Sequence, residues 1–196
     1  MAAPPKSEER VIAPVEIGGT DARTSRDVSK QHILTVNVED YFQVASFQRL
    51  IEQDQWYRFE TRLARNIDAT LELLDRFDTQ ATFFTLGWIA ERSPELIARI
   101  SEAGHEMASC GFYHHRASDL SPEEFRADVI RARDAIQRAT SKPVVGYRVA
   151  DDWLTSEDLW TLDIWADEGC QYDSSIMPAR SPRTKQRRRW RDLDGN

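Results

Sequence analysis

Cysteine is scarce in this chain: Cys110 and Cys170 are its only two among 196 residues. Two are too few for a disulfide framework, and each reads as a small buried hydrophobe. No apolar run approaches the ~20 residues a membrane helix needs, so no membrane span is expected. The first residues, with Pro4, Pro5, Glu8, Glu9 and Arg10, lack the apolar stretch of a secretory signal, and a cytoplasmic location is expected. No dinucleotide-type glycine fingerprint and no internal repeat occurs. Positive charge is also in deficit. Against 33 Asp and Glu there are 26 Lys and Arg, a net charge of -7, which argues against nucleic acid as the main partner.

The basic charge that is present is unevenly placed. Seven Lys and Arg fall between Arg180 and Arg191, and only Asp192 and Asp194 oppose them there. The body is therefore strongly acidic and the end basic, which reads as a solvated tail. Residues 1–29 are polar and rich in Pro, Gly and Ser, the composition of a disordered leader. An ordered domain is expected over 30–178 and a basic, disordered tail over 179–196.

Within the domain, strand and helix patterns alternate. His32 to Val38 is a β-branched run, and Ala81 to Leu86 is a second strand. His105 to Cys110, Val144 to Arg148 and Gln171 to Ile176 give three more. Between them Leu63, Ile67, Leu71 and Leu74 fall at helical spacing. Ser93-Pro94-Glu95 starts a helix that Gly104 ends. Ser121-Pro122-Glu123-Glu124 is a capping box with proline at the first helical position, opening a helix to about Thr140. Ser156 to Glu168 is a last helix, stopped by Gly169. Residues 39–57 show no period and read as a long loop with a short helix. Alternation of this kind indicates parallel βαβ units, an α/β fold. The pattern stops near residue 178, five units in, short of a closed barrel.

In parallel α/β folds the reactive groups gather at the C-terminal ends of the strands. Strand one ends in Asn37-Val38-Glu39-Asp40, strand three in Cys110 to His115, and strand four in Arg148 to Trp153. A carboxylate and a Cys/His pair can hold one divalent metal such as zinc with a position left open for water. Blander readings stand beside this one. His114 and His115 also read as exposed loop residues, and Glu39 and Asp40 as solvated strand-end charge. His105 also reads as a ring hydrogen-bonded near a turn, and Trp153, Trp160 and Trp165 as packing aromatics.

Taken in order, these segments resemble the polysaccharide deacetylases, carbohydrate esterase family four. Ile33 to Phe42 is similar to the family's first motif, in the form found in the exopolysaccharide-associated branch. Ala81 to Trp88 fits the second strand, Gly104 to Ser109 leads into the second motif, Gly146-Tyr147-Arg148 opens the third, and Tyr172 to Ile176 follows it. The resemblance implies a deformed (β/α) barrel, incomplete at its C-terminus here, and a metal-dependent hydrolysis of N-acetyl groups on a polysaccharide or oligosaccharide. In that chemistry the metal, zinc or another divalent ion, lowers the pKa of its water, and an aspartate takes the water's proton. An arginine fixes the aspartate, and a later histidine protonates the leaving amine.

By the same resemblance Glu39 matches the metal carboxylate, His114 the second metal histidine and Arg148 the arginine of the third motif. The base position falls on Asn37, whose neutral amide has no useful basicity. The first metal histidine falls on Cys110, whose thiolate is still a zinc ligand. Ala150 stands where the family has proline, and Trp153 is the candidate aromatic wall of the pocket. The motif carrying the acid histidine has no match. Impaired hydrolysis is therefore expected: a weakened deacetylase if Asp40 substitutes as base, or an inactive or truncated relative that acts as a carbohydrate- or partner-binding scaffold.

Overall fold

In the computed structural model the described residues are 32–44, 46, 47, 50–150 and 154–176. The expected leader (1–29), the basic tail (179–196) and Trp153 lie outside them. The chain divides after His32, and the architecture below is that of the unit beginning at Ile33.

β-branched and aromatic residues form five strands where expected, though shorter at their ends: β1 (Thr35–Val38), β2 (Thr82–Thr85), β3 (Glu106–Ser109), β4 (Gly146–Tyr147) and β5 (Tyr172–Asp173). They make one sheet in sequence order, every pair parallel. Strictly sequential parallel order means that each crossover steps the same way. With right-handed crossovers the helices then fall on one face, which is the winding of a (β/α) barrel and not of a doubly wound sheet. The barrel-type α/β expectation is met.

The helices are α1 (Leu63–Arg76), α2 (Gly87–Arg92), α3 (Pro94–Glu102), α4 (Pro122–Thr140) and α5 (Trp160–Asp167). α1 buries Leu63, Ile67 and Leu74, with Leu71 against the same cluster, as the spacing predicts. At α4 the capping box is complete: Ser121 Oγ accepts from the Glu124 N–H at 3.3 Å, and Glu124 Oε2 accepts from the Ser121 N–H at 2.9 Å. The stretch read as a loop holds two 3-10 turns, Tyr41–Gln43 and Gln53–Arg58.

Helix α2 was not legible, because it is under two turns long and opens on a glycine. Gly87 is there for packing. A Cβ on it would lie 2.5 Å from Phe112 Cδ2 and 2.6 Å from Ala132 Cα, so α4 crosses α2 at the glycine.

Period-two alternation with the observed register sorts the strand residues by face. Val36, Val38, Phe83, Met107 and Tyr147 turn toward the helices and join the two apolar clusters. Thr35, Asn37, Thr82, Phe84, Glu106, Ala108 and Tyr172 line the other face, which corresponds to a barrel lumen. At the lower end of that face Glu106 accepts from Thr82 Oγ1 at 2.6 Å and from Tyr172 Oη at 2.8 Å, tying β2, β3 and β5 together. The upper end carries the site.

Candidate functional site

Arg148 follows β4 and sends its guanidinium across the lumen face. Nη1 donates to Asn37 Oδ1 at 2.9 Å and Nη2 to Thr35 Oγ1 at 3.1 Å, both on β1. Nε and Nη2 donate to Ser174 Oγ, just past β5, at 3.3 and 2.9 Å. The guanidinium lies 4.0 Å from the centroid of the Phe84 ring, a cation–π contact. One side chain thus bridges β1, β2, β4 and the end of β5. Partial burial lowers the proton affinity of Arg148, partly offset by the fields of Cys110, Tyr172 and Asp173. A guanidinium stays charged through such a shift.

Glu39 and His114 form the second half of the site. His114 sits at φ 61° on the loop after β3, a backbone conformation a non-glycine residue seldom adopts. It is only 4 % exposed, so the exposed-loop reading of this residue does not hold. Its Nδ1 meets the Gln43 carbonyl oxygen at 2.9 Å. A carbonyl only accepts, so Nδ1 carries the proton. Nε2 then faces Glu39 Oε2 at 3.2 Å. That oxygen is buried and makes no hydrogen bond of proper geometry. Two lone-pair atoms converge on one point, and the arrangement is satisfied by a positive charge between them, a second proton or a metal ion. Asn37 Nδ2 reaches Glu39 Oε1 at 3.4 Å, a long bond that links the two halves.

This pair meets one test for a bound metal and fails another. A buried carboxylate oxygen facing an imidazole nitrogen, with the far nitrogen held by a carbonyl, is the donor chemistry a divalent ion takes. Catalytic zinc sites, however, use three protein ligands. Cys110, 4 % exposed, belongs to the larger apolar cluster and lies near enough to Arg148 to act on its charge. Among the described residues no three His, Cys, Asp or Glu side chains gather as a metal-holding group. Among the described residues the set does not complete a catalytic metal site.

Other sequence candidates find different roles. Asp40 is not a substitute base. Its carboxylate accepts from Thr61 Oγ1 at 2.5 Å and from the Arg62 N–H, while its own N–H donates to Gln43 Oε1 at 2.7 Å. It pins the entry to α1 and the 3-10 turn that presents the Gln43 carbonyl. His105 is buried against Phe83, ring centroids 5.1 Å apart, and its Nδ1 has no partner, contrary to the hydrogen-bonded ring expected. Trp165 is core, as expected, and Trp160 packs on the same cluster.

One residue was missed. Asp128, on α4, accepts the Phe112 N–H at 2.8 Å. Two residues on from it along the loop comes His114. A Cβ on Gly111 would come 2.8 Å from Asp128 Oδ2, and Gly111 itself lies at φ 83°. Mid-helix, Asp128 reads as surface charge, and only the contact reveals its function.

Comparison with known proteins follows the same lines. The profile of the polysaccharide deacetylase family matches residues 53–151. A peptidoglycan-N-acetylglucosamine deacetylase of Bacillus cereus is 29% identical over 116 residues, covering 53% of this chain and 42% of its own. A chitooligosaccharide deacetylase of a Bradyrhizobium species is 31% identical over 96 residues, covering 49% and 42%. The chain thus spans less than half the length of these curated relatives. A crystal structure described as a polysaccharide deacetylase from Mycobacterium smegmatis matches with a TM-score of 0.60 at 27% identity, over 74% of this chain and 50% of that one. A carbohydrate esterase family four pseudoenzyme from Bacillus anthracis shares the fold, with a TM-score of 0.52 at 19% identity over 72% of this chain and 41% of that one.

Proposed function

The chain belongs to the polysaccharide deacetylase family, and from that premise we propose that it is a domain of carbohydrate N-deacetylase type, directed at an N-acetylated polysaccharide or oligosaccharide, in which hydrolysis is strongly impaired. The observation that carries this reading is the hydrogen bond from Arg148 Nη1 to Asn37 Oδ1, 2.9 Å long. An arginine is held in place to orient a base, and the group it orients is an amide. An amide oxygen accepts a hydrogen bond without taking a proton, so the attacking water keeps its proton. General-base catalysis contributes about 10²–10⁴-fold, and a loss of that order is the expected consequence.

The roles follow from the same reading. Asn37 occupies the base position and Arg148 anchors it. Glu39 and His114 are the pair that would hold a metal, and Cys110 matches the position of the third donor. Trp153, outside the described residues, is assigned to the pocket wall. The first-motif resemblance supports an exopolysaccharide as the polymer. Asp40, the candidate substitute base, is already taken by Thr61 and Arg62.

The test is acetate release from N-acetylated chito-oligosaccharides with zinc supplied. We expect the unmodified chain to release acetate at least ~100-fold more slowly than the Asn37→Asp, Cys110→His double variant. A normal rate from the unmodified chain would overturn the reading.

A further inference from the structure

We propose that Arg148 is a carboxylate-binding site, so that the glycan held at this site is an acidic one. The proposal deepens the functional reading above and rests on it for the word glycan. The carboxylate site itself stands on the geometry alone.

Arg148 is a partly buried cation whose hydrogen-bond acceptors are all neutral, with Cys110, Tyr172 and Asp173 acting on it only at longer range. Its four hydrogen bonds go to an amide oxygen and to two hydroxyls, those of Asn37, Thr35 and Ser174. Among the described residues no carboxylate oxygen lies within ion-pair distance of it. Phe84 covers one face of the guanidinium, and a ring stabilises a cation less than a carboxylate does. The one carboxylate in its field from the β5 side, Asp173, has both oxygens taken by Ser175, at 2.5 and 2.9 Å. The other nearby carboxylate, Glu39, lies beyond Asn37 and faces His114. A charge taken partly out of water with no directly paired opposite charge among the described residues is under-compensated.

A place for the missing charge is also present. A guanidinium has five N–H donors. Nε uses one, Nη2 two and Nη1 one, which leaves a single Nη1–H next to Asn37. Asn37 is exposed and Arg148 half-buried, so solvent reaches the amide that this edge of the guanidinium meets. The Asn37 Nδ2 has only its long bond to Glu39 and offers a second N–H nearby. Arg148 and Asn37 together thus present donors to an incoming carboxylate. With aspartate at position 37 the arginine would be neutralised internally. With asparagine it is not, so the substitution that removes the base also creates the anion site. A uronic acid residue of a polysaccharide and a free carboxylate such as acetate share this chemistry.

The experiment is calorimetric titration of the full chain with tetragalacturonate, sodium acetate and neutral chitotetraose, each against the unmodified protein and Asn37→Asp. The variant is nearly isosteric, and its folding is checked by thermal melting. Tetragalacturonate is expected to bind the unmodified chain and to lose about 10-fold or more in Asn37→Asp, with chitotetraose changed far less. Binding of the uronate should also weaken with added salt. If acetate alone shows the same loss at comparable affinity, the site stands and its source is a free carboxylate. If the uronate alone shows it, the source is an acidic glycan. Equal uronate affinity in the two proteins overturns the proposal. Acetate release is read on the Asn37→Asp, Cys110→His double variant with zinc supplied, and anion binding on Asn37→Asp, so the two readings fail separately. Acetate release gained without any change in uronate affinity removes the anion site only. Uronate binding lost without any hydrolysis gained removes the deacetylase reading only.

Discussion

The Phe112 N–H donates to Asp128 Oδ2 at 2.8 Å, and this bond fixes the loop that delivers His114. Arg131, one turn further along α4, places its guanidinium 3.5 Å from the centroid of the Phe112 ring and donates to Tyr113 Oη at 3.3 Å. Burial pushes the Asp128 carboxyl above the usual carboxylate range, with the Phe112 N–H as the leading opposing influence. The loop is also held from α2, where Gly87 and Trp88 donate to the Gly111 and Phe112 carbonyls at 3.0 and 3.2 Å.

If that grip positions His114, Asp128→Ala leaves a backbone donor unpaired and costs about 1–3 kcal/mol in stability. Asp128→Asn keeps an acceptor for the Phe112 N–H and restores most of the loss. Urea denaturation reads the stability, and hydrogen exchange at the Phe112 amide reads the local contact. Faster exchange in the alanine variant alone is expected. Equal exchange in all three proteins would show that the loop is held without Asp128.

The strands, four of the five helices and their order were readable because they depend on local signals: β-branched runs, apolar spacing, a capping box and helix-stopping glycines. The resemblance also singled out Asn37, Glu39, Cys110, His114 and Arg148, and the structure brings the side chains of Asn37, Glu39, His114 and Arg148 into one chain of contacts. What could not be read depends on contact. The tautomer of His114 follows from a carbonyl 71 residues away, at Gln43. Asp40 looks like a spare base until Thr61 and Arg62 are seen to hold it. Cys110 has the right element for a metal ligand, but only packing shows it buried within the larger apolar cluster. Asp128 has no sequence signal, because a mid-helix aspartate is most often solvated.

The two-donor convergence at Glu39 and His114 predicts weak zinc binding by the unmodified chain and tighter binding once a third donor is supplied. Cys110→His places an imidazole at the matching position of the second motif. Zinc titration by calorimetry, with metal content after dialysis, is expected to show at least ~10-fold tighter binding in that variant, and loss of binding in both proteins when His114→Ala is added. A tight, stoichiometric zinc in the unmodified chain, lost with Cys110→Ala, would instead show that the thiolate leaves its apolar surroundings to bind the metal.

His105 predicts a pH dependence of stability. Its ring is buried against Phe83 with Nδ1 unpartnered, and burial lowers its pKa from the ordinary value near ~6.5. In the window between the lowered folded value and ~6.5, the unfolded chain binds a proton that the folded chain refuses. Stability therefore rises with pH across that window. It is fully present above ~6.5 and is lost as the pH falls through the folded value. Replacing His105 by Phe keeps an aromatic ring against Phe83 and removes the titrating group. Urea midpoints measured at about pH 7.5 and about pH 5.5 should fall for the unmodified chain and fall less for His105→Phe. The carboxylates and the other histidines contribute equally to both proteins, so the difference between the two slopes isolates His105. Parallel slopes would mean that the buried ring gains a proton at no cost, through a partner it acquires on protonation.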